Sequence, residues 1–264
     1  MHLTANISLL FQDLPLLDRF QAAKTAGFET VEIQFPYSEK LSELIAAKRD
    51  AKVEVAMINL PAGDLAAGDV GLTAVTGREA DYDEAVQLAE HYARGLNVRK
   101  INSLFGRPAN VPHRVSSLTA IRNLRHSAEV FGKLNITVVV EPVSPAVVPG
   151  FFLPDLKAAL DLTAEVDRAN VGILFDLFHM YQTEPSLVDA IRQAGPSIRH
   201  VQFADVPGRG QPGTGQVDFA AAFAALREVG FNAEVGAEYN AVGLLAESLA
   251  WMRDFPKWAQ GKGK

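Results

Sequence analysis

Extended apolar runs alternate with helix-spaced segments eight times along this chain, and few architectures accept that rhythm. Strand-like runs lie at 3–8, 30–35, 53–60, 100–104, 136–140, 172–176, 198–204 and 234–237. Helical spacing fills 16–26, 37–52, 80–96, 112–134, 154–166, 185–193, 219–229 and 243–258, and a basic tail closes the chain over 257–264. In the first helix Leu16, Leu17, Phe20 and Ala23 share a face before Gly27 stops it. The run at 136–140 carries Ile, Thr and three Val and stops at Glu141-Pro142, because Pro142 has no N–H for a sheet ladder. Eight such units in 264 residues predict an α/β fold, a (β/α)8 TIM barrel, and no shift of composition suggests a boundary within 1–264. The rival doubly wound sheet needs a Gly-rich phosphate turn after its first strand, whereas this chain reads Asn6-Ile7-Ser8-Leu9-Leu10. The Gly-rich stretch from Pro61 to Glu79 is too long for a plain connector and is expected to form a lid or pocket wall.

In such a barrel the strand ends meet at one mouth, so residues there are candidates for chemistry. The run Gly172-Ile173-Leu174-Phe175 ends on Asp176, with His179 three residues on. An Asp in that position can simply cap the next helix or start a turn. Three other strand ends carry residues of the same kind, Glu141, Gln202 and Glu238. Three carboxylates converging on one mouth repel unless a cation neutralises them. With no cysteine in the chain, the ligands are oxygens or imidazole, which suits a divalent metal, Mg2+ or Mn2+.

These residues sit in blocks that resemble the hydroxypyruvate isomerase family of xylose isomerase-like barrels, beside the ketose 3-epimerases and 2-oxo-tetronate isomerases. The blocks run in order: Asn59-Leu60-Pro61-Ala62-Gly63-Asp64, Gly77-Arg78-Glu79, Ile101-Asn102, Val140-Glu141-Pro142, Asp176-Leu177-Phe178-His179-Met180, His200-Val201-Gln202-Phe203-Ala204-Asp205, Arg209 to Gly215, and Gly236-Ala237-Glu238-Tyr239. The resemblance implies that Glu141 and Glu238 are the acid/base pair and metal ligands, with Asp176 and Gln202 completing the metal shell. It further implies that His179 and Arg209 contact a small sugar or keto-acid substrate, and that Asn59 and Arg78 line the wall. The implied reaction converts hydroxypyruvate to tartronate semialdehyde. Two departures flank the glutamates: Asn240-Ala241 stands where the family commonly has Lys-Pro, and Val143-Ser144-Pro145-Ala146 replaces Ile-Asn-His. They leave a longer 2-oxo acid or a free ketose open as substrate.

A net charge of −6 argues against nucleic acid as partner. Six histidines, of which only His179 and His200 fall near strand ends, argue against a multi-zinc hydrolase of the same barrel type. No segment is apolar enough to span a membrane and the N-terminus has no secretory pattern, so a cytoplasmic location is expected. Intact acid/base glutamates argue against a purely sensory barrel, and apolar helix faces leave self-association open.

Overall fold

Each of the eight apolar runs forms a strand in the computed structural model, which describes residues 1–108 and 111–260. Residues 109–110 and the end of the basic tail lie outside the described residues. The strands are β1 (His2–Asn6), β2 (Thr30–Ile33), β3 (Glu54–Asn59), β4 (Lys100–Asn102), β5 (Thr137–Val140), β6 (Val171–Asp176), β7 (Ile198–Phe203) and β8 (Glu234–Ala237). All neighbours pair in parallel and β8 returns to β1, so the sheet closes into a barrel. Closure leaves no unpaired edge, and the surrounding helices bury the outer face.

Those helices are α1 (Leu16–Thr25), α2 (Leu41–Ala51), α3 (Glu79–Leu96), α4 (His113–Gly132), α5 (Leu156–Val166), α6 (Leu177–Thr183), α7 (Leu187–Ala194), α8 (Phe219–Glu228), α9 (Leu245–Ser248) and α10 (Phe255–Gln260). Gly27 follows α1 with φ of 99°, a left-handed conformation that ends the helix as its position suggested. Three elements depart from expectation. The segment 37–52 opens with a 3-10 turn at Pro36–Ser38, and Glu39 is extended, so α2 starts only at Leu41. The final helix breaks into α9, a 3-10 turn at Ala250–Arg253, and α10, whose first turn holds Pro256, a position where the missing N–H costs no helical bond. The third departure is α6, which starts directly on Asp176 and places His179 on a helix.

Period-2 alternation decides what faces inward. Met57, Val139 and Leu174 form a small apolar cluster separate from the main core, which lies between sheet and helices. Two residues further along the same strands stand Asn59, Glu141 and Asp176. The same step carries Thr4 to Asn6, Glu32 to Gln34, Lys100 to Asn102, His200 to Gln202 and Gly236 to Glu238. The mouth of the barrel is thus ringed by carboxylates and carboxamides above a mixed floor.

At the opposite end, Lys100 Nζ lies 2.5 Å from Glu234 Oε2. Burial alone would raise the Glu234 carboxyl, but the Lys100 ammonium outweighs it and holds the group at about 2. A carboxyl with a depressed folded value stabilises fully above its unfolded value of 4.5 and loses that contribution as pH falls through the folded one. With 26% of the Glu234 side chain open to solvent, the pair is expected to contribute about 1–3 kcal/mol at neutral pH. Thermal melts across an acid series should show the parent losing more stability than Glu234→Gln between about pH 5 and pH 2. Parallel curves would rule that contribution out.

Candidate active site

The mouth opens on a cavity of about 210 Å3 whose polar lining includes Gln34, Asn59, Asn102, Glu141, His179, Gln202, Arg209 and Glu238. The loop from Pro61 to Glu79 supplies Ala62, Leu65 and Val70 to its rim, the pocket-wall role expected of that stretch. The β5 loop adds Val143, Val147, Val148 and Phe151, so one wall is polar and the other apolar.

Asp176 answers both readings of a strand-end carboxylate. Its Oδ1 caps α6, accepting from Phe178 N at 2.9 Å. Its Oδ2 turns the other way, 3.6 Å from His179 Nε2 and 3.5 Å from Arg209 Nη2. Because α6 begins there, His179 comes one turn on from Asp176 and faces the same group, with Nε2 3.8 Å from Glu141 Oε1. One ligand atom from each of Glu141, Asp176 and His179 lies within 4.8 Å of the others.

Glu141 accepts from Asn102 Nδ2 at 2.8 Å. Burial, then the neighbouring Glu238 and Asp176 carboxylates, raise its carboxyl well above the usual range. Glu238 is held from the other side, accepting from Asn6 Nδ2 at 2.9 Å, Gln34 Nε2 at 2.7 Å and Arg209 Nη2 at 2.6 Å. Burial also raises the Glu238 carboxyl, with Arg209 pulling it down and Asp176 pushing it up.

Arg209 arrives from the loop after β7 because Asp205 organises that loop. The Asp205 carboxylate accepts from the backbone N–H groups of Val206, Gly213, Gly215 and Val217 at 2.8–3.0 Å. Arg209 takes the left-handed conformation with φ of 53°, and its guanidinium lies 4.9 Å over the Phe178 ring. It thereby bridges Asp176 and Glu238 as their positive partner.

The donor set fits a hard divalent cation: buried carboxylate oxygens, a carboxamide and no thiolate. Two buried polar atoms at the site, Asn102 Oδ1 and Arg209 Nε, have no partner within the protein, as expected where a ligand completes the set. His179 fits the metal role less well than proximity suggests. Burial lowers its imidazole to about 4, so it is neutral near pH 7, and Nδ1 accepts from Ser144 N at 3.3 Å. The remaining proton then sits on Nε2, which makes that atom a donor toward the cavity and removes its lone pair from coordination.

Of the residues expected at the site, Glu141, Gln202, Glu238, His179, Arg209 and Asn59 line the cavity, and Asp176 stands directly behind it. Arg78 does not join them. Lying just before α3, it pairs with Asp69 at 2.5 Å and Asp81 at 2.7 Å, fastening the Pro61–Glu79 loop to that helix. Its own neighbours supply two carboxylates, which hold it there. Sequence reasoning gave no role to Asn6, Gln34 and Asn102, which cradle the glutamates, nor to Glu32 beneath Gln202. Counting back in twos from the expected strand ends at 8 and 104 reaches Asn6 and Asn102, whereas the same count from 35 lands on Ile33 and Val31 and passes over Gln34 and Glu32.

The family described as the xylose isomerase-like TIM barrel matches this chain over residues 20–255. The hydroxypyruvate isomerase of Escherichia coli (strain K12) is 36% identical over 253 residues, covering 96% of this chain and 98% of that protein. The 2-oxo-tetronate isomerase of Haemophilus influenzae is 33% identical over 255 residues, covering 95% and 98% respectively. A crystal structure described as an AP endonuclease, family 2, from Brucella melitensis superposes with a TM-score of 0.94 at 33% identity, covering 96% of this chain and 98% of that one. On a barrel closed by eight parallel strands, and with isomerases matched along nearly its whole length, the chain belongs to the hydroxypyruvate isomerase family of xylose isomerase-like TIM barrels.

Proposed function

We propose that the protein converts hydroxypyruvate to tartronate semialdehyde through an enediolate, with Glu141 and Glu238 as its acid/base pair. The observation that carries this reading is that two buried carboxylates, both raised by desolvation, line one cavity and are held by separate sets of neighbours. One takes a proton from the carbon bearing the hydroxyl, next to the carbonyl. A proton is then returned to the former carbonyl carbon, while the hydroxyl hydrogen passes to the neighbouring oxygen. Two glutamates held by different neighbours on one cavity can divide those two roles between them. Glu141, Asp176, Gln202 and Glu238 would hold a divalent cation, Mg2+ or Mn2+, whose charge supports the two adjacent substrate oxygens.

The other residues position the substrate. The unpartnered Nε of Arg209 and the Nε2–H of His179 are donors for its carboxylate and oxygens, and Asn59 lends a carboxamide from the opposite strand. The apolar wall of Leu65, Val143, Val147 and Phe151 keeps water away from the enediolate. Arg78 acts on the site only through the loop it fastens.

Hydroxypyruvate incubated with Mg2+ or Mn2+ in deuterated water should give tartronate semialdehyde carrying deuterium at the carbon that was the carbonyl. Neither product nor exchange with either metal would sink the proposal. A 2-oxo-tetronate or a free ketose is the second reading, supported by the near-equal identity of the Haemophilus influenzae relative and by the altered β5 loop. The same assay with those substrates separates the two by kcat/KM. The Brucella melitensis neighbour is described as an AP endonuclease, but the ligands argue against hydrolase chemistry on a multi-zinc centre: among the described residues the one group of three or more His/Cys/Asp/Glu close enough to share an ion contains a single histidine.

A further inference from the structure

Beneath the cavity a chain of hydrogen bonds crosses the barrel, and its direction is fixed by chemistry. Lys100 Nζ lies 3.1 Å from His200 Nδ1. An ammonium has only donors, so Nδ1 accepts and the imidazole proton sits on Nε2. That Nε2 is 2.7 Å from Glu32 Oε1, so Glu32 accepts there. Glu32 Oε2 accepts in turn from Gln202 Nε2 at 2.7 Å. Every member is buried, with exposures between 0% and 8%. The place for the Glu32 carboxylate exists because β8 carries glycine beside it: a Cβ on Gly236 would collide with both carboxylate oxygens.

An amide on its own can turn either face to a neighbour. Turned the other way, Gln202 would set its carbonyl oxygen against a carboxylate and forfeit a charge-assisted bond. Its NH2 is therefore committed to Glu32, and the carbonyl oxygen is the atom left for the cavity that Gln202 lines.

We propose that Glu32 is a positioning residue that locks the Gln202 amide so that only an oxygen acceptor, never an N–H, faces the cation and substrate. The inference rests on the reading that a cation binds beside Gln202. In Glu32→Gln, the new Oε1 accepts from His200 and the new NH2 faces Gln202, which must flip and point its own NH2 into the site. In the exchanged pair Glu32→Gln/Gln202→Glu, Gln at 32 donates to Glu at 202, which keeps one oxygen for the site, and the charge count is unchanged.

Mn2+ titration of the metal-free proteins, read by the EPR signal of free Mn2+, tests this without turnover. E32Q is expected to bind about 10- to 100-fold more weakly than the parent, and the exchanged double variant to recover to within about threefold. E32Q equal to the parent, or a double variant no better than E32Q, overturns the inference, since a purely structural loss would not be repaired by exchange. If E32Q does not fold, Glu32→Asp replaces it: the shorter carboxylate withdraws from Gln202 and should weaken Mn2+ by about fivefold or more, whereas parent-like binding overturns the inference. A parent that takes up no Mn2+ refutes the cation reading and this inference with it; a parent that binds while E32Q binds equally refutes the inference alone.

Discussion

Glu141→Gln is expected to lower kcat on hydroxypyruvate by about 10²- to 10⁴-fold and to abolish deuterium exchange, while leaving the metal-free protein as stable as the parent or more so. The two halves of that expectation share one cause. Glu141 sits in desolvated surroundings against Asp176 and Glu238, so its charge is costly when no cation is bound. A carboxamide of the same shape still accepts from Asn102 Nδ2 and turns an NH2 toward the carboxylates. Repulsion is replaced by attraction, while a base and an oxygen ligand are lost together. A melt raised by a few degrees with turnover gone identifies a group held in place for chemistry, since about 1 kcal/mol corresponds to ~2–4 °C in a chain of this size. A variant that melted early, or retained parent-like exchange, would refute the assignment of Glu141 as a base.

The barrel was legible because parallel strands covered on both faces must be apolar throughout, and runs such as 136–140 and 172–176 have no other use. The site glutamates were legible for the converse reason: a carboxylate ending such a run lies against the sheet's own logic. What escaped was set by neighbours distant in sequence. Asn6 and Gln34 bond to Glu238 across more than 200 residues, and neither stands in one of the blocks that carried the site assignments. Helix α6 was missed because apolar Leu177, Phe178 and Met180 continue the pattern of the strand, and only the Asp176 cap marks the change. Arg78 shows how local partners can place a residue differently from its motif. Its place in a matching block pointed to the wall, but Asp69 and Asp81, close by in the chain, claim it first.

Arg209 is where the fold and the proposed metal chemistry compete, and Arg209→Met is expected to expose that competition. The parent guanidinium bridges Asp176 Oδ2 and Glu238 Oε2, both almost wholly buried, and neutralises them. Methionine keeps an unbranched apolar stem, two atoms shorter, and removes the charge together with the guanidinium that lies over Phe178. Leaving buried carboxylates without a partner costs about 3–5 kcal/mol in the absence of another cation. Protonation of Glu238, whose carboxyl is already raised, relieves part of that cost, so a fall of several degrees in the metal-free melt is the expected result. Mn2+ should then raise the melt by more in the variant than in the parent, because the incoming charge restores neutrality in one case and meets a resident guanidinium in the other. KM for hydroxypyruvate should rise as well, since the Nε donor proposed for its carboxylate is gone. If the metal-free variant melts with the parent, Arg209 does not neutralise the site. If Mn2+ lifts both proteins equally, cation and guanidinium do not share the same carboxylates, and the bridge to Asp176 and Glu238 belongs to the fold rather than to the chemistry.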